Sequence, residues 1–367
     1  MLMPEVYFAA LRVPSFREWW LPEESLIAKL ENIFYSAHLN EVVRRGARVG
    51  IKLHMGEPGN VHYLRPIYAA KLVDMVRKLK GKPAVVETCG LGWFPGRTSA
   101  AKHLEAARRN GFCEATIGAP ILMADGGEGL EGVRKGKVFI AKGIVNLDAL
   151  LVLSHTTGHI QAGYGGTIKN LGLGCVTKTS KFRVHYRGKP RIDAKKCNAC
   201  GECLKYCPAE AISNFRITEK CLCCNVCSEV CNRGAIKVRA TMGEELSERI
   251  AENAAAVVDM IEKENMGYIN LAIDVLPHCD CHPHSDIPIV PDLGVLASRD
   301  PVAIDRASVD LINAAPGVLT SEAERVNALK PGTDKFKLLH PHIDWRIQLR
   351  TAEKLGIGKQ KYVLRKI

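Results

Sequence analysis

The sequence predicts an α/β host domain with a mostly parallel or mixed sheet, interrupted by a small α+β insert. Three observations carry this. Apolar runs at Arg48–Leu53 (RVGIKL) and Ala84–Thr88 (AVVET) alternate with helix-period segments, the pattern of strands joined by crossover helices. The same alternation resumes late in the chain, with a helical Glu244–Lys263 followed by a strand-like Tyr268–Val275. Between these, from about Tyr186 to Ala240, the chain becomes short-patterned and dense in cysteine. The division is a first host part at 1–185, an insert at 186–240 and a second host part at 241–367.

Taken in order, Leu26–Arg45 reads as an amphipathic helix with Leu26, Leu30, Ile33 and Phe34 on one side. After the first strand comes His54-Met55-Gly56-Glu57-Pro58-Gly59-Asn60. Pro66 suits the first turn of a helix over Ile67–Leu79. The second strand runs into Cys89-Gly90-Leu91-Gly92-Trp93-Phe94-Pro95-Gly96, and a helix follows from Thr98 to Arg109. Strands are expected near Val138–Val145 and Ala149–Ser154. The glycine-rich run Ser154–Gly174 asks for backbone freedom or a close approach to a ligand. Val290–Ala297 and Ala303–Asn313 read as strand and helix, and the C-terminal tail as a short helix and a strand. Loops after strand ends are where such sheets bind ligands.

The 367 residues carry 47% hydrophobic and 25% charged side chains, enough for an ample core. No apolar run approaches the ~20 residues that cross a bilayer, and MLMPEVYFAALRVP lacks the basic start and small-residue cleavage site of a secretory leader. The expectation is a cytoplasmic protein, since free thiolates suit a reducing compartment. The net charge of +12 points to an acidic redox partner or an anionic small-molecule substrate. Nucleic acid is not expected, because aromatic and basic residues are not interleaved.

Nine of the fourteen cysteines fall in one stretch, and eight of them follow a ligand spacing. Cys197, Cys200, Cys203 and Cys207 are spaced C-x2-C-x2-C-x3-C and followed by Pro208. Cys221, Cys224, Cys227 and Cys231 repeat the spacing 24 residues on, with Asn232 in the proline's place. Three thiolates this close wrap one cubane, while the fourth reaches the other. Cys197, Cys200, Cys203 and Cys231 are therefore expected to hold one [4Fe–4S] cluster, and Cys221, Cys224, Cys227 and Cys207 a second. A zinc site uses two cysteine pairs set apart by a longer spacer and does not match. The stretch resembles the bacterial-type two-cluster ferredoxin, so the insert is expected to be ferredoxin-like. Cys223, which aligns with Ala199, reads as a small packed thiol.

The host resembles the DUF362 family, proteins of poorly defined function that often carry this ferredoxin insert. The likeness rests on Gly165-Gly166-Thr167-Ile168-Lys169-Asn170-Leu171, on the segment from Asp292 to Asp305 (DLGVLASRDPVAID), and on Ala352-Glu353-Lys354-Leu355-Gly356-Ile357-Gly358. It implies a host domain plus clusters and supplies no reaction. The histidine-then-glycine-lysine loop is also distantly similar to lactate-racemase-type proteins.

The densest remaining constellation is His278-Cys279-Asp280-Cys281-His282-Pro283-His284. If it is extended, Cys279 and Cys281 share one face, and His278, Asp280 and His282 the other. Thiolates with imidazoles suit zinc, iron or copper(I), so His278, Cys279, Cys281 and His282 are candidate ligands of an additional metal ion (Zn or Fe). The same segment also reads as a polar turn, or as a reactive thiol supplied with electrons. Lys169 suits a phosphate or carboxylate partner or an imine, against the plain reading of a solvated lysine. His155 and His159 follow a strand end. Gly90, Gly92 and Gly96 form a loop between strand and helix whose spacing departs from the dinucleotide pattern.

Together these residues predict an iron–sulfur redox protein, an oxidoreductase that relays single electrons through two [4Fe–4S] clusters to a substrate or metal site in the host. The residues expected there are His54, Cys89, His155, His159, Lys169, Asp274 and the His278–His284 loop, with Lys169, His155, Cys279 and Cys281 as the catalytic candidates. Two alternatives stay open. One is a non-catalytic electron-transfer subunit docking a larger enzyme. The other is a non-redox or metal-handling protein with structural clusters.

Overall fold

The computed structural model describes residues 3–13, 20–91, 95–241 and 243–367. Eight strands form the main sheet: β1 Glu5–Ala10, β2 Arg48–Lys52, β3 Lys82–Glu87, β4 Ile121–Met123, β5 Ala149–His155, β6 Met266–Ala272, β7 Gly294–Ser298 and β8 Val363–Lys366. Their order is β8-β1-β7-β6-β5-β2-β3-β4. Every neighbouring pair is parallel except those made by β7, which runs antiparallel to both β1 and β6. The sheet is mostly parallel, as the alternating pattern predicts.

Its central strands are buried at nearly every position because both faces are covered, and they are apolar at most of them. Residues of alternating parity enter two separate cores. Val49, Ile51, Leu151, Leu153, Ile269 and Leu271 face one. There they pack on α1 (Leu26–Ser36) and α2 (Pro66–Lys78) through Ile33, Phe34, Leu72 and Val76. Leu150, Val152, Tyr268 and Leu296 face the other. There they meet α4 (Thr167–Gly174), α6 (Glu244–Ile261), α7 (Pro301–Ala314) and α8 (Arg346–Lys354). The helix α3 (Ala100–Arg109) follows β3 and starts from a Ser99 cap, and α5 (Lys178–His185) leads toward the insert.

Four expectations need correction. The first helix ends at Ser36, not Arg45: His38 takes a left-handed backbone (φ 55°) and a 3-10 turn follows over Leu39–Val42. Val138–Val145 is a strand only to Ala141; it pairs with Gly132–Lys135 outside the main sheet, and Lys142–Val145 is a helical turn. The strand expected at Tyr268–Val275 spans Met266–Ala272, and the one expected at Val290–Ala297 begins only at Gly294. Because β6 and β7 are antiparallel neighbours, no crossover helix separates them. Residues 273–293 therefore stay beside the C-terminal end of β6, and that is where Cys279 and Cys281 sit.

In the cysteine-rich stretch, Tyr186–Ile192 pairs antiparallel with Ile236–Ala240, with Tyr186 opposite Ala240. Between these arms the 24-residue sequence repeat is also a structural one. Short helices at Glu202–Lys205 and Val226–Glu229 correspond, each preceded by a left-handed residue, Gly201 (φ 79°) and Asn225 (φ 68°). Ala199 (φ 59°) and Cys223 (φ 53°) form a second left-handed pair. No helix among the described residues is long and apolar enough to cross a membrane.

Candidate functional site

A cavity of about 520 Å³ opens at the C-terminal ends of the parallel strands, the place where open α/β sheets bind ligands. Strand β2 delivers Lys52 and His54 to it, β3 delivers Glu87 and Thr88, and β5 delivers Ser154 and His155. The N-terminal half of α4 supplies Lys169 and Asn170, and the β6–β7 loop supplies Cys279, Asp280 and Cys281.

Lys169 is held from below. Asp305 of α7 accepts hydrogen bonds from the backbone N–H of Thr167 (2.7 Å) and Ile168 (2.9 Å), closing the N-terminus of α4. A Cβ on Gly166 would lie 2.4 Å from Asp305 Oδ1, and one on Gly165 would lie 2.8 Å from Lys169 Cδ. At Gly166 the space is taken by the bonded Asp305 carboxylate and Tyr164 hydroxyl, while at Gly165 a side chain would push Lys169 aside. From this base the Lys169 ammonium reaches Cys281 Sγ at 3.7 Å. Burial works against its charge, but the Cys279–Cys281 pair and Asp280 outweigh that and raise its pKa.

The cysteine segment is a turn rather than an extended strand, closed by His282 N–H donating to Cys279 O at 3.1 Å. The two sulfurs still converge, at 2.7 Å. Cys281 is drawn well below the usual thiol range by the hydrogen bond from Cys279, helped by the charge of Lys169, whereas Cys279 is pushed well above it. The nearby Lys169 ammonium favours the thiolate on Cys281.

His155 differs from expectation. Its Nδ1 meets the Asp280 carboxylate at 2.8 Å and its Nε2 meets Ile273 O at 2.7 Å. Both partners are acceptors, so the ring carries two protons and has no lone pair for catalysis or metal. Burial opposes that charge, and Asp280 more than restores it, raising the pKa. His159 is the opposite case. Its Nδ1 accepts from Gln161 N–H and Ala162 N–H (3.3 and 3.0 Å), and burial drives its pKa well down, so it is neutral with its proton on Nε2. His54 Nδ1 accepts from Gly56 N–H at 3.0 Å, and its Nε2 has no hydrogen-bond partner among the described residues.

Other candidates lie elsewhere. Asp274 does not line the cavity and pairs with Arg65 at 2.9 Å. Cys89 is buried beside Asp125 and pushed up to about 12 by burial. His278 is outside the cavity, where its ring stacks among His282, His284 and His340 at 5.4–6.4 Å. Among the described residues no three His, Cys, Asp or Glu side chains are arranged to hold a metal ion. The expected ligand set of His278, Cys279, Cys281 and His282 is therefore split between two environments. Of the glycine loop, Gly92 lies outside the described residues, while Gly90 lines the cavity.

The insert cysteines sort by the crossed pattern. Cys197, Cys200, Cys203 and Cys231 line one hollow of about 240 Å³. Cys207, Cys221, Cys224 and Cys227 line a second, smaller one. Backbone N–H groups of Ala211 and Ala235, related by the repeat, donate to Cys207 Sγ (3.2 Å) and Cys231 Sγ (3.3 Å). The second hollow adjoins the host. Thr179 Oγ1 donates to Leu222 O at 3.1 Å, and Cys223 packs on a small core of Leu91, Phe182 and Tyr186. Leu91 also lines the host cavity.

The family model of a domain of unknown function, DUF362, matches residues 49–310. The chain belongs to the DUF362 family. Two curated proteins are similar to parts of this DUF362 chain. It is 33% identical over 76 residues to the pyruvate synthase subunit PorD of Methanothermobacter marburgensis, covering 20% of this chain and 90% of that one. It is 39% identical over 61 residues to the DNA-directed RNA polymerase subunit Rpo3 of Methanosarcina acetivorans, covering 14% of this chain and only 23% of that one. Among solved structures, the lactate racemase apoprotein from Thermoanaerobacterium thermosaccharolyticum is similar at 16% identity and a TM-score of 0.35, covering 74% of this chain and 56% of that one. A protein from Thermotoga maritima is similar at 12% identity and a TM-score of 0.34, covering 68% of this chain and 50% of that one.

Sequence reasoning missed much of the charged wall in this DUF362 cavity. Lys52 and Glu87 form a fully buried ion pair at 2.9 Å, and Lys52 also donates to Asn170 Oδ1 at 2.8 Å. Arg97 pairs with Glu57, both buried. Lys181 donates to Thr88 Oγ1 at 2.7 Å, and its pKa is lowered by burial. The available signal was a lysine inside RVGIKL and a glutamate at the end of AVVET. Charges in strands buried on both faces demand partners.

Proposed function

We propose that this chain is an iron–sulfur redox protein in which the insert receives single electrons and the host cavity uses them on an anionic small molecule. One observation carries the reading: the second cysteine quartet packs, through Cys223, on Leu91, Phe182 and Tyr186, and Leu91 is itself cavity wall. The quartets fit the groups assigned to them. Each gathers four soft sulfur donors around a hollow, with backbone N–H groups aimed at sulfur, as cluster ligation requires. Cys197, Cys200, Cys203 and Cys231 would hold one [4Fe–4S] cluster, and Cys207, Cys221, Cys224 and Cys227 the other. Clusters of this type, when bound, each take up and release one electron.

The chain's own residues set the direction. Cys200 is exposed, and so are Leu204, Tyr206 and Phe215 around the outer quartet. Lys195, Lys196, Lys205 and Arg233 surround them and are exposed as well. This face suits an acidic one-electron carrier, such as a reducing cytoplasm contains. Inside the host, Lys52 and Arg97 are balanced by Glu87 and Glu57, so Lys169 and Lys181 bias the cavity toward an anion, and His159 offers a neutral donor. A mere docking scaffold would have no use for such a cavity.

Anaerobic purification with metal analysis and EPR of the reduced protein tests the reading. The expected result is about eight irons per chain, with re-oxidation slowed in Leu91→Ser. Colourless, iron-free protein, or protein holding only zinc, sinks it.

A further inference from the structure

The host thiols are not alike. Cys89 and Cys175 are single and buried, and each is pushed up to about 12, mainly by burial. Inert packing is what such thiols do. Cys279 and Cys281 instead share one cavity wall, sulfur to sulfur at 2.7 Å, with an ammonium 3.7 Å from one of them.

The turn that carries them is clamped on several sides. His155 holds the Asp280 side chain at 2.8 Å, and Glu57 N–H donates to Asp280 O at 3.1 Å. Asn60 Nδ2 donates to His282 O and His284 O, both at 3.2 Å. A Cβ on Gly59 would lie 2.4 Å from Pro283 O, so the opposing loop fits closely against this one. Such support fixes the relative position of the two sulfurs without a bond between them.

We propose that Cys279 and Cys281 are a redox-active dithiol acting on a small anionic disulfide, with Cys281 the attacking sulfur and Cys279 the resolving one. The Cys281 thiolate forms a bond to one substrate sulfur, the substrate S–S bond breaks, and the other half leaves as a thiolate. Cys279 then gives up its proton and attacks Cys281 Sγ. The Cys279–Cys281 bond closes, and the second half leaves. The protein has lost two electrons, the disulfide has gained two, and the Cys279 proton departs with the products. Lys169 stabilises the attacking thiolate, while Lys181, which lines the same cavity without a carboxylate partner of its own among the described residues, attracts the substrate's anionic groups. With one residue between its cysteines, the new bond closes a tight ring, and strained bonds of this kind are readily reduced. Return to the starting thiolate–thiol pair takes two electrons and one proton. That clause rests on the relay proposed above, which delivers them one at a time.

The test uses the full chain, prepared anaerobically and treated with 3,3′-dithiodipropionate, a small dianionic disulfide, or with cystamine, a dication of similar length. Peptide mass spectrometry should find the 279–281 peptide lighter by two hydrogens, about tenfold faster with the dianion. Cys279→Ser should retain a substrate half on Cys281, and Cys281→Ser should retain none on Cys279. Lys169→Met should slow iodoacetamide labelling of Cys281 about tenfold, the effect of one pKa unit on thiolate fraction, relative to the accessible Cys113 in the same chain. An unmodified 279–281 peptide, equal rates with cystamine, or an unchanged Cys281-to-Cys113 labelling ratio overturns the proposal. If the loop bond forms as expected but re-opens under a low-potential reductant equally fast in Cys224→Ala and wild type, the relay falls and the dithiol stands.

Discussion

Asp305 sits on the helix behind the glycine loop, yet its carboxylate accepts the Thr167 N–H at 2.7 Å and so sets where Lys169 emerges. The same two oxygens also take the Ile168 N–H, the Asn270 amide (2.9 Å) and the Tyr164 hydroxyl (3.3 Å). Four donors on one buried side chain make it a single point of failure for the cavity floor. Asp305→Ala should cost about 1–3 kcal/mol at pH 5, the range for orphaned buried donors, read from urea midpoints. The pH dependence has a definite sign. Burial raises the Asp305 pKa to about 6, above its unfolded value. Its contribution is therefore fully present at low pH and is lost as pH rises from about 4 to about 6, by about 3 kcal/mol. Asp305→Asn should remove that slope from the difference between the two stability curves.

The His155–Asp280 pair runs the other way on one side. Asp280 is lowered below its ordinary value; burial opposes this, and His155 supplies the larger pull. Its share of stability is present above pH ~4 and is lost as pH falls through the folded pKa. His155 is raised, so its share is complete below pH ~6.5 and is lost as pH climbs through the folded pKa. His155→Gln should therefore cost most near pH 5–6, by about 3–5 kcal/mol as an uncompensated buried charge. Urea unfolding of wild type and variant across pH 4–9 gives the curve; a flat difference would mean that the pair is uncharged.

Lys52 and Glu87 are almost completely buried, on adjacent parallel strands. Removing one leaves the other charged in a dry interior, at a cost of about 3–5 kcal/mol. Lys52→Met and Glu87→Met should each destabilise by that much, while the double variant should recover most of the loss, since the pair itself contributes little net stability. The measurement is a double-mutant cycle from denaturant midpoints. Additive losses would show that Asn170, which accepts from Lys52, rather than Glu87, is the lysine's essential partner.

How much of this was legible depends on range. Apolar runs such as ALLVLS declare a strand buried on both faces, and the cysteine spacing declares the crossed quartets, because both signals are local. The antiparallel placement of β7 was not legible. It depends on pairing between Gly294–Ser298 and Glu5–Ala10, nearly 300 residues apart, and no short pattern encodes it. Asp280 read as a polar-turn residue on the histidine face of the loop, and only the fold brings it to His155. The helix expected to reach Arg45 failed at His38, where a left-handed turn overrode an otherwise helical composition. His54 and His159 were found because they follow strand ends, and Lys169 because it sits in the family-like glycine run.

The crossed arrangement of the insert makes a prediction that simple sequence proximity gets wrong. Cys207 is four residues from Cys203 but lines the hollow of Cys221, Cys224 and Cys227; Cys231 lines that of Cys197, Cys200 and Cys203. Cys207→Ala should therefore perturb the same EPR signal as Cys224→Ala, and Cys231→Ala the same signal as Cys200→Ala. Full loss of a cluster removes about four irons per chain. The two classes should also differ in their effect on the host. The Cys224 hollow adjoins Leu91, Phe182 and Tyr186 through Cys223, so its loss should loosen α5 and lower the stability of the cavity wall. Loss of the outer hollow should leave the host unfolding transition unchanged. Hydrogen exchange over residues 178–186 separates the outcomes: equal protection in both classes would mean that the insert hangs from its two-stranded stalk without supporting the host.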